Sequence, residues 1–286
     1  MSPEPPAPNI NTGVAHPARR YNYWLGGKDN FAADRASGDA IEKIFPHIRT
    51  AAIENRRFLH RAVRWLTAEA GIRQFLDIGT GLPTADNTHE VVQAVAPDAR
   101  VLYVDNDPIV LTHARALLTS HPHGRTDYID ADLKRPVTIL DAPAFKRTLD
   151  LTQPVALLLV AVLHFLTEHD DPYSIVETLL DRLAPGSYLV LSHATAELLP
   201  PATAAALTSV PGRGDFTSRT YQQAQRFFDG LDLVAPGLVV ASQWRPPPGS
   251  TPTPPEQVAA YAGVARKTTV AGRRWPLDFA GSRCPP

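Results

Sequence analysis

At 286 residues the chain is long enough to bury one sizeable core with added elements. Its 28 Lys and Arg against 29 Asp and Glu leave a formal net charge of -1, so no basic excess points to a nucleic-acid backbone as partner. The single cysteine, Cys284 in a Pro-rich tail, excludes an intrachain disulfide and a zinc site built on several cysteines.

Residues 1–17 are dominated by Pro, Asn and Gly and are expected to be flexible. They lack the basic-then-apolar pattern of a secretory signal. The longest apolar run, 154–163, is about half a membrane span. A cytoplasmic protein without a membrane partner is the expectation.

Residues 18–70 read as mostly helical. Ile41, Ile44, Phe45 and Ile48 recur at helical spacing. Over 51–70, Ile53, Phe58, Leu59, Ala62, Val63 and Leu66 form one stripe. Asn55 and Arg56 in this helix read more simply as solvated than as site residues. From 71 to 267 short apolar runs alternate with amphipathic stretches. Strands are predicted at 74–78, 101–104, 127–129, 155–161 and 187–191. Helices are predicted at 84–95, 108–118 and 172–183, the last capped at its start by Asp170 and Asp171. This βαβα grammar, with strands apolar on both faces, argues for a parallel sheet covered by helices. Residues 194–216 look like an inserted helix and loop, and 217–228 like a helix. Residues 238–244 and 259–267 read as two strands. The Pro-rich loop between them cannot be a helix interior, so they must pair antiparallel or sit apart. Residues 268–286 read as a loosely ordered tail.

The run FLDIGTGLPT, 75–84, follows an apolar strand and opens a helix. Gly79, Thr80 and Gly81 form a turn where backbone can approach a ligand. Asp77, just before it, suits a ligand ammonium group. Asp105 ends the second strand, at the ligand crevice of a doubly wound sheet, where a carboxylate can take two ribose hydroxyls. Asn106 borders the adenine edge. Asp132 and Leu133 follow the third strand, and Ala161 ends the fourth; they complete the expected cofactor contacts. The layout fits NAD or S-adenosylmethionine. Thr84 at the sixth position of the turn, Pro83 before it, and an acid that would repel a pyrophosphate favour S-adenosylmethionine. A cofactor-binding regulator without turnover stays open, and so, less favoured, does an NAD-dependent oxidoreductase.

His164, in AVLHFL after the fourth strand, has two readings. It is a general base for the methyl acceptor, or a packed histidine at a helix start. His113, His121 and His123 have no metal spacing, and no metal is expected. In YNYWLGGKDN, 21–30, Tyr21 and Tyr23 could pack on the cofactor, with the Gly26–Gly27 backbone close by and Arg19 and Lys28 on its carboxylate. The other reading is a turn clamped onto the sheet by its aromatics.

Four stretches carry a specific resemblance: ARRYNYWLGGKDNFAADR (18–35), ENRRFLHRAVRWL (54–66), the long run 74–118 around FLDIGTGLPT, and AYAGVARK (260–267). They resemble the actinobacterial S-adenosyl methyltransferase family once called domain of unknown function 574, within the class I S-adenosylmethionine-dependent methyltransferases. The resemblance implies a Rossmann-like α/β fold with a seven-stranded, mostly parallel sheet and an antiparallel last strand. It implies a helical N-terminal cap over the cofactor, and so favours the lid reading of Tyr21, Gly26 and Lys28. The expected partner is a small-molecule methyl acceptor. Its identity, and the oligomeric state, are not implied.

Overall fold

A computed structural model describes residues 11–83, 86–110, 112, 119–208 and 216–268. Three helices come first: α1 (Pro17–Trp24), α2 (Ala32–Ile44) and α3 (Ile48–Ala68). The face of α3 that carries Phe58, Leu59, Ala62, Val63 and Leu66 is buried in the main core. Full burial of such side chains is worth about 1.5–3 kcal/mol each, which fixes α3 against the sheet more firmly than helix propensity would.

The sheet contains β1 (Gln74–Ile78), β2 (Arg100–Asp105), β3 (Arg125–Asp130), β4 (Ala156–Val160), β5 (Tyr188–Ala194), β6 (Leu231–Leu233), β7 (Val239–Val240) and β8 (Ala260–Lys267). The order is β3-β2-β1-β4-β5-β8-β6, with β7 paired to β8 off this path. β1 to β5 pair in parallel. β8 runs antiparallel between β5 and β6. The strand order reverses at β1 and β4, so the crevice at their C-terminal tips is the topological switch point.

The expected sheet therefore gains one short strand. Of the strand predicted over 238–244, only Val239–Val240 pairs, antiparallel to β8. The chain then turns through Ala241–Gln243. Arg61 on α3 explains why: its Nε donates to the Trp244 carbonyl at 2.8 Å and its Nη2 to the Ala241 carbonyl at 2.7 Å. Those carbonyls serve a helix rather than a ladder. Trp244, fully buried, packs edge-on against Phe58 at 5.5 Å. The helix predicted over 217–228 shortens to Tyr221–Gln225 with a following turn, and leaves room for the unforeseen β6. Two further unforeseen helical turns, Pro136–Asp141 and Pro143–Thr148, connect β3 to β4.

The helix expected over 84–95 starts at Thr88 and forms α4 (Thr88–Gln93). Asn87 caps it, and the Asn87 N–H donates to Glu90 Oε2 at 2.6 Å. Thr84, most of the helix expected over 108–118, and the tail beyond 268 lie outside the described residues. His16, at the end of the stretch read as flexible, is held on both sides: its N–H donates to Asp34 at 2.8 Å and its ring lies 3.0 Å from Asp107. Among the described residues no helix is long and apolar enough to cross a membrane.

Candidate functional site

A cavity of about 410 Å³ opens at the switch point, between the tips of β1 to β5 and the helical cap. Its floor is the turn after β1. Gly79 takes φ 73° and its N–H donates to the Val104 carbonyl at 2.8 Å. A Cβ there would lie 2.5 Å from Val162 Cγ2, so the crossing of this turn over the β4 loop needs glycine. Gly81 takes φ 67° with open space where a side chain would stand.

Two carboxylates, each 6% exposed, flank the turn. Asp77 accepts from Thr88 Oγ1 at 2.7 Å. Burial pushes its pKa up to about 6, against that hydrogen bond and the nearby Arg56 cation. Asp105 accepts from the Gly81 N–H at 2.8 Å and the Asp107 N–H at 2.9 Å. Burial raises its pKa too, and these two N–H groups oppose the rise. The Asp105 carboxylate thus shapes the glycine turn and keeps a lone pair on each oxygen for a further donor.

Asn106, Asp132, Leu133 and Ala161 also line the cavity, as do Thr80 and His164. Asp132 accepts the Lys134 N–H at 2.9 Å, which closes the β3 loop. Ala161 holds φ 57°, a costly conformation for a non-glycine residue, and its N–H donates to Ser192 Oγ at 2.9 Å. Ser192 Oγ donates to Asn55 Oδ1 at 2.5 Å. Asn55 Nδ2 donates to Tyr21 OH at 2.9 Å, and Tyr21 OH donates to the Ala52 carbonyl at 3.0 Å. One chain of hydrogen bonds therefore runs from the cap to the tip of β4. Burial raises the Tyr21 pKa, so its hydroxyl stays a donor.

The expected lid divides. Tyr21 reaches the cavity; Gly26, Lys28 and Tyr23 are not among its walls. Lys28 is exposed, and Gly26 has nothing within 4 Å of where its Cβ would be. Gly27 is packed against the Asn22 side chain, whose Oδ1 takes the Asp29 N–H at 3.1 Å and Asn30 Nδ2 at 3.0 Å. Gly27 thus serves a turn built around Asn22. Arg19 turns away from the cavity and lies 3.3 Å from Asp107. Burial works against ionisation of Asp107, but its bond to His16, with the Ile109 N–H and Arg19, holds its pKa low.

In their place stand cavity residues that sequence reasoning passed over. Arg20 lines the wall and donates to Ser37 Oγ at 3.2 Å. Asn55 and Arg56, read as solvated, line it as well. The signal was available: with Ala52 and Leu59 they repeat at three- and four-residue spacing and so share one helix face. Arg56 donates through Nη2 to the Asp86 carbonyl at 3.1 Å, while its Nε is buried and has no hydrogen-bond partner among the described residues.

His164 sits in a single turn after β4 and is 8% exposed. Its ring meets Phe165 at 4.4 Å and Phe216 at 4.9 Å between centroids. The loop that carries it is clamped by Arg219, which is fully buried. Arg219 donates to the Leu163 carbonyl at 3.0 Å and the Leu166 carbonyl at 2.9 Å, and its Nη2 pairs with Glu168 at 2.9 Å. Its Nη1 also donates to His193 Nε2 at 2.9 Å. Burial pushes the His193 pKa down to about 4, so that ring is neutral and can accept. Arg219 carried no local motif, because it acts through backbone carbonyls more than fifty positions away.

A mostly parallel sheet closed by an antiparallel β8, with an acid-flanked glycine turn at its switch point, defines a Rossmann-like methyltransferase fold. The particular family follows from comparison: residues 3–268 match the S-adenosyl methyltransferase family, and the chain belongs to it. It is a SAM-dependent methyltransferase. A DUF574 family protein from Streptomyces avermitilis is 47% identical, with 91% of this chain and 100% of that chain covered and a TM-score of 0.86. A solved protein from Thermobifida fusca is 42% identical over 93% of this chain and 100% of its own, with a TM-score of 0.84. An O-methyltransferase family protein from Burkholderia thailandensis shares the fold alone, at 14% identity and a TM-score of 0.51, with 78% of this chain and 58% of that chain covered. Among curated proteins nothing matches.

Proposed function

We propose that this methyltransferase acts on a small molecule held in the cavity under the cap, beside S-adenosylmethionine. The observation that carries this is the cavity itself. Its volume of about 410 Å³ lies in the small-ligand range, and helices of the cap wall it, so a polymer has little room. The residues fit the cofactor. Gly81, with nothing within 4 Å of where its Cβ would stand, leaves open space at the turn, and Arg56 Nε is a buried donor lacking an acceptor among the described residues.

Asp77 is assigned the ammonium end and Arg56 the carboxylate, in place of Arg19 and Lys28. The Thr80 turn follows the same end. Asp105 takes the ribose hydroxyls, and Asn106, Asp132 and Leu133 border the adenine. Ala161 closes the β4 side, and Tyr21 braces the cap through Asn55. When bound, the cofactor supplies an electrophilic sulfonium methyl group for transfer to a nucleophile. The chain's own contribution is chiefly positioning, which can be worth about 7–11 kcal/mol in favourable cases. His164 is the group assigned to receive the acceptor's proton at its imidazole. His164→Gln should lower turnover roughly 100-fold and leave cofactor affinity unchanged, since a positioned base contributes about 10²–10⁴-fold. A turnover within twofold of the original would rule the base out.

S-adenosylhomocysteine at about 100 times its Kd should raise the melting temperature by roughly 5 °C or more, and NADH should not. The reverse would overturn the cofactor assignment. The shift should also depend on pH. The raised Asp77 pKa means its contribution to unliganded stability is present at low pH and lost as pH rises through about 6. An ammonium ligand needs the ionised carboxylate. Affinity should therefore fall about tenfold per unit below pH 6, and Asp77→Asn should give a flat, weaker profile. A profile unchanged by Asp77→Asn would remove Asp77 from the site.

A further inference from the structure

We infer that the methyl acceptor is an uncharged, planar aromatic molecule, seated in the half of the cavity beyond the β4 and β5 tips. This rests on the proposed placement of the cofactor over the β1 and β2 tips. The far half has its own apolar cluster, separate from the main core: Ile41, Phe45, Leu207 and Ala259, with Trp24 and Ile48 packed against it. All six line the cavity. They come from α1, α2, α3, the helix Pro201–Thr208 and the approach to β8. A satellite core that encloses an open chamber, and not only itself, presents apolar surface that a ligand would bury.

Charge is distributed to match. Among the described residues, no wall residue after His164 carries a charge. Asp77, Asp105 and Asp132 stand at the tips of β1, β2 and β3, on the cofactor side. Lys134 reaches Asp170 at 3.1 Å, and Arg20 is bonded to Ser37 on α2. A carboxylate or ammonium carried into the far half would be desolvated without a partner among the described residues, which strongly disfavours the charged form. Polar groups there are neutral hydroxyls, Thr195, Thr208 and Ser218.

The shape of the contact surface selects an aromatic ligand over an aliphatic one. At the junction of the halves, His164, Phe165 and Phe216 pack on one another as a three-ring cluster in the cavity wall, the two phenylalanines 6.2 Å apart between centroids. Trp24 and Phe45 add two more rings farther in. Ring edges and faces at such spacings pack favourably on a further ring. The cluster includes the imidazole assigned as base, so the hydroxyl of a ring packed on it would lie beside that base.

The test is calorimetric titration of the full chain, saturated with S-adenosylhomocysteine, with 2-naphthol, 2-naphthoate and cyclohexanol in turn. The expected result is binding of 2-naphthol at least about tenfold tighter than of either other probe. Leu207→Asp should abolish that binding and leave S-adenosylhomocysteine affinity unchanged, which also shows the variant to be folded. Leu207→Met should retain it. Equal or tighter binding of 2-naphthoate would overturn the inference on charge, and equal binding of cyclohexanol would overturn it on aromaticity. No binding of any probe, with S-adenosylhomocysteine still bound, would overturn it altogether. Failure of S-adenosylhomocysteine itself to bind would overturn the cofactor placement instead, and the inference with it.

Discussion

Asp105→Ala should weaken S-adenosylhomocysteine binding by about 100-fold or more. A hydrogen bond to a charged group is worth about 1.5–3 kcal/mol, and a ribose diol would lose two of them. The same substitution strips the Gly81 and Asp107 N–H groups of their acceptor, so the glycine turn loses its brace as well. Unliganded stability should change much less. The buried carboxylate is held at a cost that its removal relieves, which offsets part of the lost hydrogen bonding. Asp105→Asn, which keeps one acceptor oxygen, should fall between the two. Calorimetry with S-adenosylhomocysteine and unliganded thermal melts separate the effects. Unchanged affinity in Asp105→Ala would refute the ribose role.

Gly79→Ala should lower stability by about 2–5 kcal/mol. The left-handed backbone costs an alanine about 1–2 kcal/mol, and forcing a methyl group against packed atoms costs about 1–3 more. The obstructing group is Val162, whose Cγ2 and Cβ would stand 2.5 and 2.8 Å from the new atom. Val162 follows Ala161, whose own positive φ leaves its loop little freedom to retreat. A drop of melting temperature on the order of 10 °C is expected. Gly81→Ala separates the two causes: its φ is similar but its space is open, so it should cost only the backbone share. Gly79→Ala combined with Val162→Ala should recover most of the packing share. Equal losses at the two glycines, or no recovery in the double variant, would show that the crossing over Val162 is not what requires glycine.

Much of the site frame was legible in the sequence because it is made by local rules. An apolar strand, a glycine turn and a helix start occupy adjacent positions, so Asp77, Gly79 and Gly81 announce themselves. Asp105, Asp132 and Ala161 follow from the same grammar, since each ends or follows a strand whose tip must face the switch point. The cap was harder. Tyr21, an unusual aromatic in that segment, reaches the cavity, while Gly26 and Lys28 lie away from it because their turn is organised by Asn22, a contact no periodicity reveals. Asn55 and Arg56 were set aside as solvated because polar residues on a helix usually face water. Only the closing of α1 and α2 over α3 converts that face into a wall.

The sequence by itself located the first five strands and the glycine turn with the two acids that flank it, because each depends on residues close in the chain. The tertiary structure alone decided the shape of the cavity under the cap. It joins Trp24, Phe45, Leu207 and Phe216 from four distant segments, and it hangs the His164 loop on Arg219 through backbone carbonyls. Such contacts depend on how helices dock and on which carbonyls are left without a ladder partner, and those are properties of the assembled core, not of any run of residues.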